Sequence, residues 1–182
     1  MANNVTNHIV FSWDPNDGGT GNYIDEIRSK YSSRWHPLDL DKVLPEPEKF
    51  LYEFVLDAYN ISVKNTYLCD EPKAKSPRDD EIWCYSLGSP ISVFAMTFLS
   101  KKYPTVEIMH EYADEDYGHG CGYRRYKGGK LVGGFDLPDY SKKAYEFFST
   151  LTGRDLYADC GMKYDPETEM YQYYEARGIS DA

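Results

Sequence analysis

The chain of 182 residues carries 30 acidic against 20 basic side chains, a formal charge of −10, with 41% hydrophobic and 16% aromatic residues. That length suits one compact domain, or one domain with an appended element, and so rich an aromatic content excludes a disordered acidic tail. An acidic surface repels phosphate backbones, which argues against duplex binding and makes basic surfaces the natural partners.

Taken in chain order, NVTNHIVFSW alternates, with Val5, Asn7, Ile9 and Phe11 set against Thr6, His8, Val10 and Ser12. This is the pattern of a half-buried strand. DPNDGGTG ends it, and Tyr23, Ile24, Ile27 and Tyr31 then recur at helical spacing, giving a helix to Ser32. Pro45 and Pro47 mark the next boundary, Phe50, Leu51, Phe54, Val55 and Ala58 form the stripe of a second helix, and Ile61 to Leu68 reads as a strand. CDEPKAKSPRDDE, from Cys69 to Glu81, is an exposed loop.

IWCYSL follows as a strand and SPISVFAMTFLSKKYP as a helix, with Ser89 as N-cap, Pro90 in the first turn, and Lys101 and Lys102 at the end where the helix dipole favours cations. VEIMHEY alternates as a strand, and GYRRYKGGKLVGGF is a hairpin turning at Gly128 and Gly129. Tyr140, Ala144, Phe147, Phe148 and Leu151 carry a last helix, closed by Gly153. In the acidic, tyrosine-rich remainder, Asp165 and Pro166 form a turn and ETEMYQYYEAR reads as a short helix.

The order predicts an α+β protein: a ferredoxin-like split βαβ sandwich over residues 1–153, with a helical insertion around 33–80 and a C-terminal extension over 154–182. The cysteines, Cys69, Cys84, Cys121 and Cys160, form no CxxC pair and read as free thiols of a reducing compartment. Asn4 opens an NVT sequon, which matters only in a secreted protein. No window approaches the roughly 18 apolar residues of a membrane span, and MANNVTNHIVF lacks a basic segment followed by an apolar one. A cytoplasmic location is expected.

The N-x-x-x-N-H-I-V-F start, the segment LDLDKVLPEPE, the strand-to-helix run IWCYSLGSPISVFAMTFLSKKYP and the following VEIMHEYADEDYGHGCGYRRYKGG form a series. From about Asn3 to Gly134 this series resembles a phage and plasmid family of small proteins with a ferredoxin-like, YubB-type domain. In size, acidity and mobile-element character the chain also resembles anti-CRISPR inhibitors of type II RNA-guided nucleases. The resemblance implies a cytoplasmic protein of a bacterial host, with no catalytic motif to carry over and no cofactor.

The stretch EYADEDYGHGCGYRRYKGG concentrates the candidate chemistry. An enzyme would use His119 or His110 as base and Cys121 as nucleophile, although no local signature marks the pair. A metal site would recruit Asp114, Asp116, His119 and Cys121, but a second ligand pair is missing and DEDYGHGCGYRR lacks the final glutamate of a calcium loop. GHGCG and GGKLVGG match neither phosphate-loop pattern, so their glycines are read as turn and bulge residues.

A binding surface would use the carboxylates Glu107, Glu111, Asp114, Glu115 and Asp116 with the rings of Tyr112, Tyr117, Tyr123 and Tyr126. The competing reading is a solvated edge whose charges prevent sheet-to-sheet pairing. A second acidic, tyrosine-rich run, Asp155 to Glu175, favours binding. The expected partner is a basic nucleic-acid-handling protein, and by resemblance a type II CRISPR nuclease loaded with guide RNA, whose channels are positively charged. Arg124, Arg125, Lys127 and Lys130 form the one dense basic cluster, the place where phosphate contact would contradict the acidic reading.

Overall fold

A computed structural model describes residues 3–13, 23–44, 65–69 and 80–174. The expected helix on Phe50 to Ala58, the DPNDGGTG break and most of the loop from Cys69 to Glu81 lie outside the described residues. The elements are β1 (Asn4–Ser12), α1 (Tyr23–Tyr31), α2 (Leu40–Val43), β2 (Tyr67–Leu68), β3 (Glu81–Leu87) and α3 (Val93–Lys102), followed by β4 (Glu107–Asp114), β5 (Gly122–Lys127), β6 (Lys130–Asp136), α4 (Lys142–Thr152), β7 (Met162–Asp165) and β8 (Met170–Tyr173). Among the described residues no helix is long and apolar enough to cross a membrane.

Six strands form one sheet in the order β2-β3-β1-β4-β5-β6, every neighbouring pair antiparallel. Because β1 runs opposite to both β3 and β4, those two are parallel to each other, and α3 is the connection between them. This is the split βαβ arrangement of an α+β, ferredoxin-like sheet, as the element order implied.

Strand β1 is buried on both faces, not half-buried as its alternation suggested: Val5, Ile9 and Phe11 are sealed on one side, Thr6 and Val10 on the other. The first side holds the larger core, in which Ile9, Phe11, Ile82, Ile108 and Tyr126 of the sheet meet Ile24 and Ile27 of α1, Leu40 and Val43 of α2, and Ala95, Met96 and Leu99 of α3. Each fully buried Val, Leu, Ile, Phe or Met side chain among them contributes about 1.5–3 kcal/mol. A second, smaller core lies at the Ala113 and Cys121 end of the opposite face, under Ala144, Tyr145, Phe148 and Leu151 of α4 and Cys160 and Met162 of the C-terminal extension.

Local chemistry explains the boundaries. Helix α1 places Asp25 and Glu26 in its first turn and Arg28 and Lys30 in its last, both in accord with the helix dipole. Helix α3 begins three residues later than the proline pattern suggested, because Ser92 rather than Ser89 is the N-cap, its hydroxyl accepting from Ala95 N–H at 3.1 Å. Ser89 and Ile91 are instead tied to the sheet: Ser86 Oγ donates to Ser89 O at 2.6 Å, and Ile91 N–H donates to Asn7 Oδ1 at 3.1 Å. The β5–β6 turn has Gly128 and Gly129 at φ +57° and +77°, the primed turn that suits the twist of a hairpin.

Asn7 is the hub of a buried polar network. Its Oδ1 accepts from Ile91 N–H, which fixes the amide orientation, so His110 Nε2, 2.9 Å away, must carry the hydrogen. Asn7 Nδ2 donates to Val5 O and to Ser86 Oγ, each at 2.8 Å. Burial pushes His110 down to about 3, with the Arg124 and His8 charges adding to the effect, so the ring is neutral.

The C-terminal extension departs from expectation. The described part of the segment read as a short helix carries β8, paired with β7 through Met162↔Tyr173, Lys163↔Gln172, Tyr164↔Tyr171 and Asp165↔Met170. Asp165 sets the turn by accepting from Glu167 N–H and Thr168 Oγ1, each at 2.9 Å. Tyr171 then packs 5.0 Å from Tyr145 of α4 and 5.3 Å from Tyr164. Cross-strand and interlayer aromatic contacts thereby outweigh the weak helical spacing.

Candidate functional site

Period-two alternation in β4 sends Glu107, Met109, Glu111 and Ala113 to one face of the sheet and Ile108, His110, Tyr112 and Asp114 to the other. The first set lies on the face that α4 covers, but α4 and the C-terminal residues gather at the Ala113 end. Glu107, Met109 and Glu111 therefore remain half-buried, as do Tyr123 and Arg125 beside them on β5. The register adds His8 of β1, opposite Glu111, and Trp83 of β3, opposite His8.

These side chains form two linked groups. Arg125 grips Glu107 with both arms of its guanidinium, Nε at 2.8 Å and an Nη at 2.9 Å, and this bond holds the Glu107 carboxyl below its usual range. His8 stacks on the Trp83 indole with ring centres 3.8 Å apart and planes 12° from parallel. Its Nδ1 is 2.9 Å from Glu111 Oε2 and its Nε2 is 3.4 Å from Glu81 Oε2, while the Trp83 indole N–H donates to that same Glu81 oxygen at 3.1 Å. Tyr123 lies beside Phe135 of β6, with ring centres 5.6 Å apart.

The rest of the expected surface is dispersed. Tyr112 points into the opposite face and is buried; its hydroxyl donates to Asp136, and the Arg124 guanidinium lies 4.6 Å over its ring. A Cβ at Gly122 would collide with that tyrosine, so glycine there makes room for it. Asp114 is also buried, accepting from Asn3 Nδ2 at 3.0 Å and from Asp116 N–H at 2.9 Å. Tyr117 packs on Phe148 at 5.2 Å, and Tyr126 is fully buried in the larger core. Glu115 and Asp116 stand exposed in the loop after β4, accepting from Asn4 Nδ2 and the Tyr140 hydroxyl respectively.

The continuous line of carboxylates is thus divided, because strand alternation and the turn after Asp114 send neighbours in sequence to three places. Glu107, Glu111 and Tyr123 stay together. His8, Glu81, Trp83 and Arg125 join them; sequence inspection set Arg125 in a separate basic cluster and singled out none of the other three for this surface, and only the register across β1, β3, β4 and β5 assembles them.

The chemistry of His119 and Cys121 does not suit nucleophilic catalysis. Cys121 is buried, and burial pushes its thiol up to about 12, with the Asp114 and Asp139 charges adding to the effect. The thiol donates to the backbone carbonyl of His119 at 3.4 Å, while the imidazole faces Asp114 at 3.8 Å and Asp139 at 3.5 Å. Among the described residues no group of three or more histidine, cysteine or acidic side chains is arranged to hold a metal ion. In the basic cluster, Arg124 is paired with Asp136 and Arg125 with Glu107.

No curated protein and no solved structure matches the chain. Residues 90–155 match the model of a family described as the ferredoxin-like domain in Api92-like protein. That stretch runs from the loop before α3 to just beyond α4, so the ferredoxin-like character implied by the element order has the support of both the sheet topology and a family model.

Proposed function

We propose that the chain is a binding protein whose open sheet face docks on a basic nucleic-acid-handling protein, a type II CRISPR nuclease loaded with guide RNA, and inhibits it. The observation that carries this reading is the gathering of Glu107, Glu111 and Tyr123, half-buried on the part of the sheet face that α4 leaves open, with Trp83 beside them, in a chain of net charge −10. Carboxylates supply complementarity to channels lined by arginine and lysine, and the aromatic rings supply rigid contact area. The ferredoxin-like match and the mobile-element resemblance support the same reading.

Glu111→Lys combined with Tyr123→Ala tests it. Inhibition of DNA cleavage by guide-loaded nuclease should fall at least about tenfold, with an unchanged circular dichroism spectrum and a slower association rate at low salt. The control, Glu167→Lys on the distant β7–β8 turn, alters net charge by the same two units at an exposed position and should inhibit normally. Equal inhibition by both variants, or none by the parent chain, would count against the proposal.

A further inference from the structure

Beside the open face, a cleft of about 120 Å³ lies between β1 and β3 of the sheet and α4. Pockets for cofactors and drug-sized molecules measure roughly 300–1,000 Å³, so this one suits a single side chain rather than a nucleotide or a peptide segment. Trp83, Tyr85 and Phe148 give it aromatic walls, and Asn4, Glu115 and Arg154 supply polar groups.

We propose that this cleft receives one arginine side chain of the protein partner, an inference that rests on the partner being basic. A guanidinium stacks on aromatic faces and also needs acceptors for its N–H groups. Trp83 suits the first demand: its indole N–H is bound to the Glu81 carboxylate at 3.1 Å, which makes the ring more electron-rich toward a cation. Glu115 suits the second, because the one bond from Asn4 Nδ2, at 3.2 Å, leaves most of the roughly four lone-pair sites of a carboxylate free to accept.

Arg154 introduces the opposite polarity, and an anionic ligand would select it. Its charge acts on Tyr117 and Cys160. The surroundings favour the cation: Glu81 and Glu111 flank His8 against the same indole, and the whole chain carries −10. A buried anchor of this kind concentrates binding energy in one residue of the partner, leaving the neighbouring face to exclude water.

The test follows the Trp83 indole ¹H–¹⁵N resonance, assigned by its loss in Trp83→Phe, as N-acetyl-arginine methylamide is added to the full chain. A saturable shift is expected, with N-acetyl-glutamate methylamide causing none. Glu115→Gln, a substitution at an exposed side chain, should weaken the arginine probe about fivefold, the difference between a charge-assisted and a neutral hydrogen bond. A shift with the glutamate probe that disappears in Arg154→Met would overturn the assignment, as would arginine affinity indifferent to Glu115→Gln. The nuclease assay is read separately. Inhibition without arginine binding rejects the cleft alone, whereas arginine binding without inhibition rejects the nuclease reading and supports the cleft as a site for another basic partner.

Discussion

On one face of the sheet Ile9, Phe11, Ile108 and Tyr126 are sealed under α1, α2 and α3, whereas on the other His8, Glu107, Glu111 and Tyr123 are half-buried beside a second core confined to one end. The same strands supply both sets, at alternate positions. The contrast separates two kinds of sequence constraint: the helical face is fixed by volume and must exclude water, while the open face is fixed by charge and ring placement and can change without loss of the fold. Polar groups mark the boundary, since Asn7 and His110 lie on the sealed side and must satisfy each other there.

The largest expected effect breaks the sealed side. Phe11→Ala should cost about 3–5 kcal/mol in urea denaturation, because a fully buried ring leaves a cavity between the sheet and three helices. A loss below about 1 kcal/mol would mean that this core is not the one holding the chain together.

Asn7→Ala comes next, at about 1–3 kcal/mol, since it strands Ile91 N–H and His110 Nε2–H without acceptors in a dry site. Amide hydrogen exchange at Ile91 should accelerate more than at Leu99 in the middle of α3. Equal acceleration at both would indicate general destabilisation and no hub.

His110 sharpens the comparison through pH. Its pKa falls from 6.5 in the unfolded chain to about 3 when folded, so the unfolded state binds the extra proton between those values. The stability that this neutral ring preserves is therefore complete above pH 6.5 and is lost as pH falls, at up to about 1.4 kcal/mol per pH unit. A His110→Gln variant should lose that part of the slope between pH 6.5 and 4. An unchanged slope would assign acid sensitivity to the carboxylates instead.

The smallest effect on stability belongs to the open face. Glu111→Lys and Tyr123→Ala should each change unfolding free energy by no more than about 1 kcal/mol, since both are half-buried and Glu111 gives up its bond to His8, while weakening the proposed nuclease inhibition. Glu107→Gln should cost little more, since the Arg125 bond it weakens is half exposed and screened by water. A cooperative loss of several kcal/mol at any of these positions would make the open face part of the core and the contrast false.

Much of this was legible in the sequence. Period-two runs gave β1 and β4, the strand-like IWCYSL gave β3, the Gly128–Gly129 pair gave the β5–β6 turn, and Gly153 gave the end of α4, because each depends on contacts or torsions within a few residues. The site was less legible. EYADED reads as one acidic line, but strand alternation turns Tyr112 inward, and the turn after β4 converts Asp114 into a buried acceptor. The β7–β8 hairpin was missed for a related reason: Met162 and Tyr164 face Tyr173 and Tyr171 across a turn fixed by Asp165, and that pairing is visible only when both strands are considered together.

The central place of β1 also sets an order of events during synthesis. Val5 pairs with Ser86 on one side and Asp114 on the other, so both partner strands leave the ribosome long after β1 does. At roughly 5–20 residues per second, this strand waits on the order of 10 s for its neighbours. Through that interval its backbone donors and acceptors are open on both edges, a nascent-chain hazard that makes β1 the natural segment for a chaperone to hold.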